Sequence, residues 1–146
     1  MCVRTAAAGM ANAILFIDLD GFKETNDRFG HDFGDNVLIQ TAGVLTSSIR
    51  REHVAGRVGG DEFVLCLAAP AETVALFAEQ VANHIVREIS CFGCDVGCSI
   101  GVAVNVDGSV DLEAAIKKAD DAMYAAKKRG KNRFMFHDRP RLVAVS

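Results

Sequence analysis

Val54-Ala55-Gly56-Arg57-Val58-Gly59-Gly60-Asp61-Glu62-Phe63-Val64-Leu65-Cys66-Leu67 contains two β-prone segments, Val54 to Val58 and Phe63 to Leu67, separated by Gly-Gly-Asp-Glu. The spacing predicts a tight hairpin in which the glycines supply unusual backbone angles and the turn projects Asp61 and Glu62. Upstream, Ala13-Ile14-Leu15-Phe16-Ile17 is a continuous apolar run ending in Asp18 and Asp20. It reads as a buried strand with two carboxylates at its C-terminal end. If the two stretches are neighbours in one sheet, four acidic side chains meet at one edge.

Further out, Leu38, Ala42, Leu45 and Ile49 recur at helical spacing and predict a helix from Asp35 to Arg50. Pro70 stops the second hairpin strand, and Phe77, Val81, Ile85 and Ile89 mark a helix over Glu72 to Ile89. Val96 to Val106 reads as a strand. Asp111 opens a helix carrying Leu112, Ala115, Ile116, Ala119 and Met123 that ends at Gly130, and Arg133 to His137 is a last short strand. The order strand, helix, hairpin, helix, strand, helix, strand fits a sheet with helices packed on it. We expect one domain over residues 13–138, with tails at 1–12 and 139–146.

The chain has 146 residues, half of them hydrophobic, enough for one substantial core. A net charge of −3 without long Lys/Arg runs argues against a broad grip on nucleic acid, and Lys117-Lys118 and Lys127-Lys128-Arg129 read as a solvated helix face. No apolar run approaches the roughly 18–20 residues needed to span a bilayer, and Met1 to Ala13 lacks a signal-peptide pattern. The expectation is a soluble, cytoplasmic protein without membrane contact. Five cysteines do not pair evenly and are expected to stay thiols. Cys91, Cys94 and Cys98 lack a second Cys/His pair to complete a zinc shell, and alternation, with Cys94 and Cys98 on one strand face and Cys91 on the other, suits small buried hydrophobes. Met123, Tyr124, Phe134 and Phe136 read as core.

Carboxylates crowded together repel one another unless a cation sits between them, and hard oxygen ligands suit Mg²⁺ or Mn²⁺. Such a site suits phosphoryl or nucleotidyl transfer. Taken singly, each acid reads more readily as a solvated loop residue. Four acids in two loops beside Gly59 and Gly60, which let a backbone approach a bulky ligand, favour the site.

Phe16-Ile17-Asp18-Leu19-Asp20-Gly21-Phe22-Lys23, Asn26-Asp27, Gly30-His31, Gly34-Asp35 and Arg57-Val58-Gly59-Gly60-Asp61-Glu62-Phe63 together resemble, in order and spacing, the GGDEF domain of bacterial diguanylate cyclases. Ser99-Ile100-Gly101-Val102 and Ala119-Asp120-Asp121-Ala122-Met123-Tyr124-Ala125-Ala126-Lys127 extend the resemblance, which covers roughly residues 13–137. It implies an α/β (α+β) fold, a palm-like, mostly antiparallel central sheet with helices packed on it, similar to nucleotidyl cyclase catalytic domains. It also implies an enzyme that condenses two GTP molecules into cyclic di-GMP and two pyrophosphates where two domains of a homodimer face each other.

By the family pattern Asp18 and Asp61 coordinate two Mg²⁺ or Mn²⁺ ions per active site, and Leu19 adds its backbone carbonyl. Glu62 coordinates metal or helps to deprotonate the attacking hydroxyl. Asn26 and Asp35 match the guanine-reading positions, Gly21, Phe22 and Lys23 the phosphate cradle, and Lys127 and Lys131 the phosphate-neutralising cations. Each has a plainer reading: Asn26 as a turn residue, Asp35 as a helix cap, the lysines as cations at a helix C-terminus. His31 has no metal partner at a fitting spacing and reads as structural.

The sequence departs from the family in three places. Only Met1 to Asn12 precede the first strand, where the family usually has a helix and an Asp-x-Leu-Thr-Gly-Leu-x-Asn-Arg stretch. Arg50 and His53 stand where many members carry the Arg-x-x-Asp site for inhibitory cyclic di-GMP, and an imidazole cannot supply the missing carboxylate. Lys131 stands where Arg is common, losing a planar fork. The alternatives are a catalytically silent module binding GTP or a protein partner, and a cyclase-like fold using another nucleotide. A regulatory partner supplied in trans is expected in either of the first two readings.

Overall fold

β1 (Met10–Asp20) is the central strand, apolar on both faces because both are covered. The computed structural model describes residues 9–93, 95–105 and 111–139. β1 is followed by α1 (Phe22–Phe29), α2 (His31–Ser47), β2 (Val54–Arg57), β3 (Glu62–Pro70), α3 (Val74–Ser90), β4 (Gly97–Asn105), α4 (Leu112–Lys128) and β5 (Arg133–His137). The sheet order is β2-β3-β1-β4-β5, antiparallel throughout except for the parallel β4–β5 pair joined through α4. The fold is thus α+β with a mixed, mostly antiparallel sheet, as the resemblance implied.

Alternation along the strands divides the interior into two layers. Leu15, Ile17 and Leu19 of β1 join Leu65 and Leu67 of β3, Ile100 and Val102 of β4, and the buried faces of α2 and α3. Ile14 and Phe16 point the other way, onto Val64, Cys66, Ala103 and α4 through Ala119 and Met123. Gly101 makes that second layer possible. A Cβ there would lie within bonding distance of the Ala119 carbonyl oxygen, so only glycine lets α4 lie directly on β4. Asp18, Asp20 and Glu62 share the even-numbered parity of this second face, which turns them towards the side that α4 covers.

Several expectations need correction. α1 was not anticipated: it buries only Thr25 among its residues, too little to give a helical hydrophobic pattern, and it starts from the left-handed Gly21 (φ 73°). α2 begins at His31, and its buried line is Gly34, Val37, Thr41 and Leu45 rather than Leu38, Ala42, Leu45 and Ile49; Ala42 is exposed and Ile49 lies past the helix end. β1 begins at Met10, inside the stretch expected as a tail. Tyr124 is exposed, with the Lys128 ammonium over its ring at 4.9 Å, so it does not belong to the core. Cys98 is buried, but Cys91 caps the end of α3 and is exposed rather than lying on a strand. Cys94, Val106 and the outer parts of both tails lie outside the described residues.

The helix start at Asp111 holds: its carboxylate accepts from the Ala114 N–H at 3.2 Å. Among the described residues no helix is long and apolar enough to cross a membrane.

Candidate active site

The β1–β3 ladder ends with Asp18 opposite Glu62, and the Leu19 N–H donates to the Asp61 carbonyl at 3.1 Å. The hairpin tip is therefore sewn to the end of the central strand. Neither Gly59 nor Gly60 adopts a left-handed backbone, contrary to the expectation from their spacing. Gly59 provides room instead: a Cβ there would sit 3.1 Å from Glu62 Oε2, so the Glu62 side chain folds back over it. The loop is held by Arg57, whose guanidinium donates to the Gly59 carbonyl at 3.0 Å and to the Gly60 carbonyl at 2.7 Å. Sequence reasoning gave Arg57 no role. Its position just before the loop was the available signal, since Arg readily closes a turn onto two carbonyls.

Asp18 and Asp20 lie on the same face of β1 but are treated differently. Asp18 Oδ2 pairs with Lys127 Nζ of α4 at 3.0 Å, while its Oδ1 is buried with no hydrogen-bond partner. Burial pushes the Asp18 carboxyl up to about 6; the Lys127 ammonium opposes this, and the Asp61 and Glu62 carboxylates add to it. Burial lowers the proton affinity of Lys127, but the hydrogen bond and charge of Asp18, with Asp20 behind it, raise it on balance. Asp20, by contrast, is fully engaged. Its Oδ1 accepts from the Ser99 hydroxyl at 2.8 Å, its Oδ2 accepts from the Asn132 N–H at 2.9 Å, and Lys127 Nζ lies 3.5 Å from Oδ1.

Beside this end of the sheet, Gly21 starts α1, whose first amides have no partner within the helix. Asn26 sits on α1, not in a turn, and its buried Oδ1 has no partner. Gly34 of α2 lies directly against that amide; a Cβ there would overlap Oδ1. Asp35 lies in the second turn of α2 and is exposed, so it does not cap the helix. Lys131 follows α4 in a left-handed conformation (φ 64°) and lines a cavity of about 340 Å³ with Asp20, Ser90, Asp95 and Asn132.

Arg50 and His53 are not part of this assembly. Ala68, which hydrogen-bonds His53, is in register with Asn12, six residues up β1 from Asp18 and so roughly 20 Å away. His53 is buried: Nδ1 accepts from the Arg50 N–H at 3.3 Å and Nε2 donates to the Ala68 carbonyl at 3.2 Å, with the ring 5.5 Å from that of Phe77.

Among the described residues no three His, Cys, Asp or Glu side chains already form a metal-holding group. The donor set nevertheless fits a hard divalent cation: one buried, unpartnered carboxylate oxygen and two nearby acids that raise the negative charge around it.

The GGDEF family model, described as diguanylate cyclase, GGDEF domain, matches residues 4–133. The chain belongs to the GGDEF family. It is 41% identical over 137 residues to the bifunctional diguanylate cyclase/cyclic di-GMP phosphodiesterase MucR of Pseudomonas aeruginosa, a match covering 86% of this chain and 19% of MucR. It is 38% identical over 124 residues to the diguanylate cyclase DgcM of Escherichia coli K12, covering 84% of this chain and 30% of DgcM. The chain thus spans well under half the length of these curated relatives. Among solved structures, the active GGEEF domain of a diguanylate cyclase from Vibrio cholerae superposes with a TM-score of 0.79 at 32% identity, covering 89% of this chain and 85% of that one. This GGDEF domain keeps Asp61 within the unaltered Gly59 to Phe63 signature.

Proposed function

We propose that this GGDEF domain is a diguanylate cyclase that condenses two GTP into cyclic di-GMP with release of two pyrophosphates, each of two domains holding one GTP at a dimer interface. The observation that carries the reading is the pair of buried oxygens left without a partner, Asp18 Oδ1 and Asn26 Oδ1. A buried acceptor without a donor costs about 1–3 kcal/mol, and a ligand that fills it recovers that cost. A cation suits the first, and a purine N–H edge suits the second.

In this reading Asp18, Asp61, Glu62 and the Leu19 carbonyl hold Mg²⁺ or Mn²⁺. The bound ions supply charge neutralisation at the phosphates and lower the proton affinity of the attacking hydroxyl. Asn26, with the exposed Asp35 on the next helix, reads guanine: the carboxylate accepts from N1–H and N2–H, and the amide donates and accepts. The free amides at the start of α1, over Gly21, Phe22 and Lys23, receive the terminal phosphates, and Lys127 and Lys131 neutralise them. Each 3′-hydroxyl forms a bond to the α-phosphorus of the other GTP. The bond to the β-phosphate oxygen breaks, and the hydroxyl proton passes to Glu62 or to water. Lys127 neutralises the Asp18 charge through the 3.0 Å pair between them.

The test is incubation of the purified chain with GTP and Mg²⁺ at high protein concentration, with nucleotides separated by chromatography. Cyclic di-GMP formed by the wild type and not by Asp61→Ala supports the cyclase. Metal-dependent GTP binding without product points to a silent GTP-binding module, and absence of GTP binding rejects the cyclase and leaves the module that binds a protein partner.

A further inference from the structure

We infer that Asp20 is a positioning residue that fixes the α4–β5 turn and thereby aims Lys127 and Lys131 at the phosphates of the nucleotide; this rests on the GTP reading above. Two successive non-glycine residues of that turn, Lys131 and Asn132, are left-handed (φ 64° and 51°). Such conformations are unfavourable for residues with a Cβ and persist only where surrounding contacts impose them. The contacts are identifiable. The Lys131 N–H donates to the Ala126 carbonyl at 3.1 Å, and the Asn132 N–H donates to Asp20 Oδ2 at 2.9 Å. The Asn132 side chain lies over Gly97, where a Cβ would come within 2.9 Å of its Oδ1.

Asp20 is itself locked. It is 6% exposed, and its second oxygen accepts from Ser99, which is fully buried on β4. The same oxygen lies 3.5 Å from Lys127 Nζ. One carboxylate therefore ties together the end of β1, the start of β4 through Ser99, the last turn of α4 and the turn that presents Lys131. Both of its oxygens are committed to protein donors, which separates it from Asp18, two residues away, whose Oδ1 is open. Proximity alone would make Asp20 a metal ligand; its hydrogen bonding makes it a brace for the cations.

The experiment measures GTP affinity, with excess Mg²⁺ and again with chelator, and guanosine affinity, for the wild type, Asp20→Ala, Asp20→Asn and Ser99→Ala. Misaimed lysines weaken GTP about ten-fold in Asp20→Ala under both metal conditions and leave guanosine, which has no phosphates, unchanged. Asp20→Asn recovers to within about three-fold, because an amide oxygen still accepts from Asn132 while its nitrogen donates to Ser99. Ser99→Ala, which keeps the Asn132 bond, loses about three-fold and carries the test should Asp20→Ala not fold. Loss confined to Mg²⁺ conditions would make Asp20 a metal ligand, and equal loss of guanosine would make it a general fold residue. Either result, or unchanged GTP affinity in both alanine variants, overturns the inference. A wild type that binds no GTP fails earlier, and rejects the functional reading before any variant is compared.

Discussion

The two ends of the β1–β3 ladder both bury polar side chains, yet they leave them in opposite states. At the Asn12–Ala68 end, the buried His53 has each ring nitrogen matched to a backbone group and its face against Phe77. At the Asp18–Glu62 end, Asp18 is buried with one oxygen open, and Asn26 on the adjoining α1 is in the same condition. Both ends carry residues that the family resemblance marks as ligand contacts. Satisfied polar groups hold the protein together, while unsatisfied ones await something from outside. By that criterion the His53 end is closed by its own backbone partners, and the Asp18 end is the candidate site.

The sharpest way to break this contrast is to remove the open carboxylates. Asp18→Ala and Asp61→Ala are each expected to lower cyclic di-GMP formation by about 10³-fold or more, since they remove the carboxylates proposed to hold the cations. Circular dichroism and melting should show the fold retained, because neither side chain anchors either apolar layer. Loss of fold in Asp18→Ala would place that residue with His53 and erase the distinction. Next in size, Asn26→Ala should reduce the preference for GTP over ATP by about 10- to 100-fold in competition binding, because the unpaired oxygen proposed to discriminate the bases is gone. An unchanged preference removes Asn26 as a base reader.

At the opposite end, His53→Ala leaves the Arg50 N–H and Ala68 carbonyl without partners and opens a cavity beside Phe77, at a cost of about 2–3 kcal/mol by denaturant unfolding. Turnover at saturating GTP should not change. Cyclic di-GMP added to the wild type should not inhibit through this end, since the imidazole is already occupied by backbone; inhibition abolished by Arg50→Ala would show that the end still binds ligand.

How far the sequence announced these two ends depended on the range of the interactions involved. Ala13 to Ile17 and Phe63 to Leu67 were legible as strands because a strand buried on both faces writes a continuous apolar run, and the acids at their ends followed from the chain itself. α1 left no such record, being short and burying only Thr25. The roles of Asp20 and His53 were not legible either. The partners of Asp20 are Ser99, 79 residues away, and Asn132, 112 away, and the acceptor for His53 lies 15 residues on, so no local spacing encodes them. Spacing also misled at Gly59: paired glycines suggested a special backbone angle, whereas the hairpin needed space for Glu62.

The smallest effect tests whether the open end is maintained at the expense of stability. Burial raises the Asp18 carboxyl to about 6, above the roughly 3.9 of an unfolded aspartate, so the folded chain holds this proton more tightly than the unfolded chain. By linkage, stability without metal then falls as pH rises from about 4 to about 6 and stays reduced above that range. Asp18→Asn mimics the protonated form at every pH. It should therefore stabilise the metal-free protein by on the order of 1–3 kcal/mol at pH 7.5 and by nothing at pH 4, read from denaturant unfolding in chelator. Mg²⁺ should reverse the ranking at neutral pH by stabilising the wild type through its carboxylate, and leave Asp18→Asn where it was. A neutral-pH wild type more stable than Asp18→Asn without metal would mean that the Lys127 pair outweighs burial, and that this end of the ladder, like the other, is closed from within.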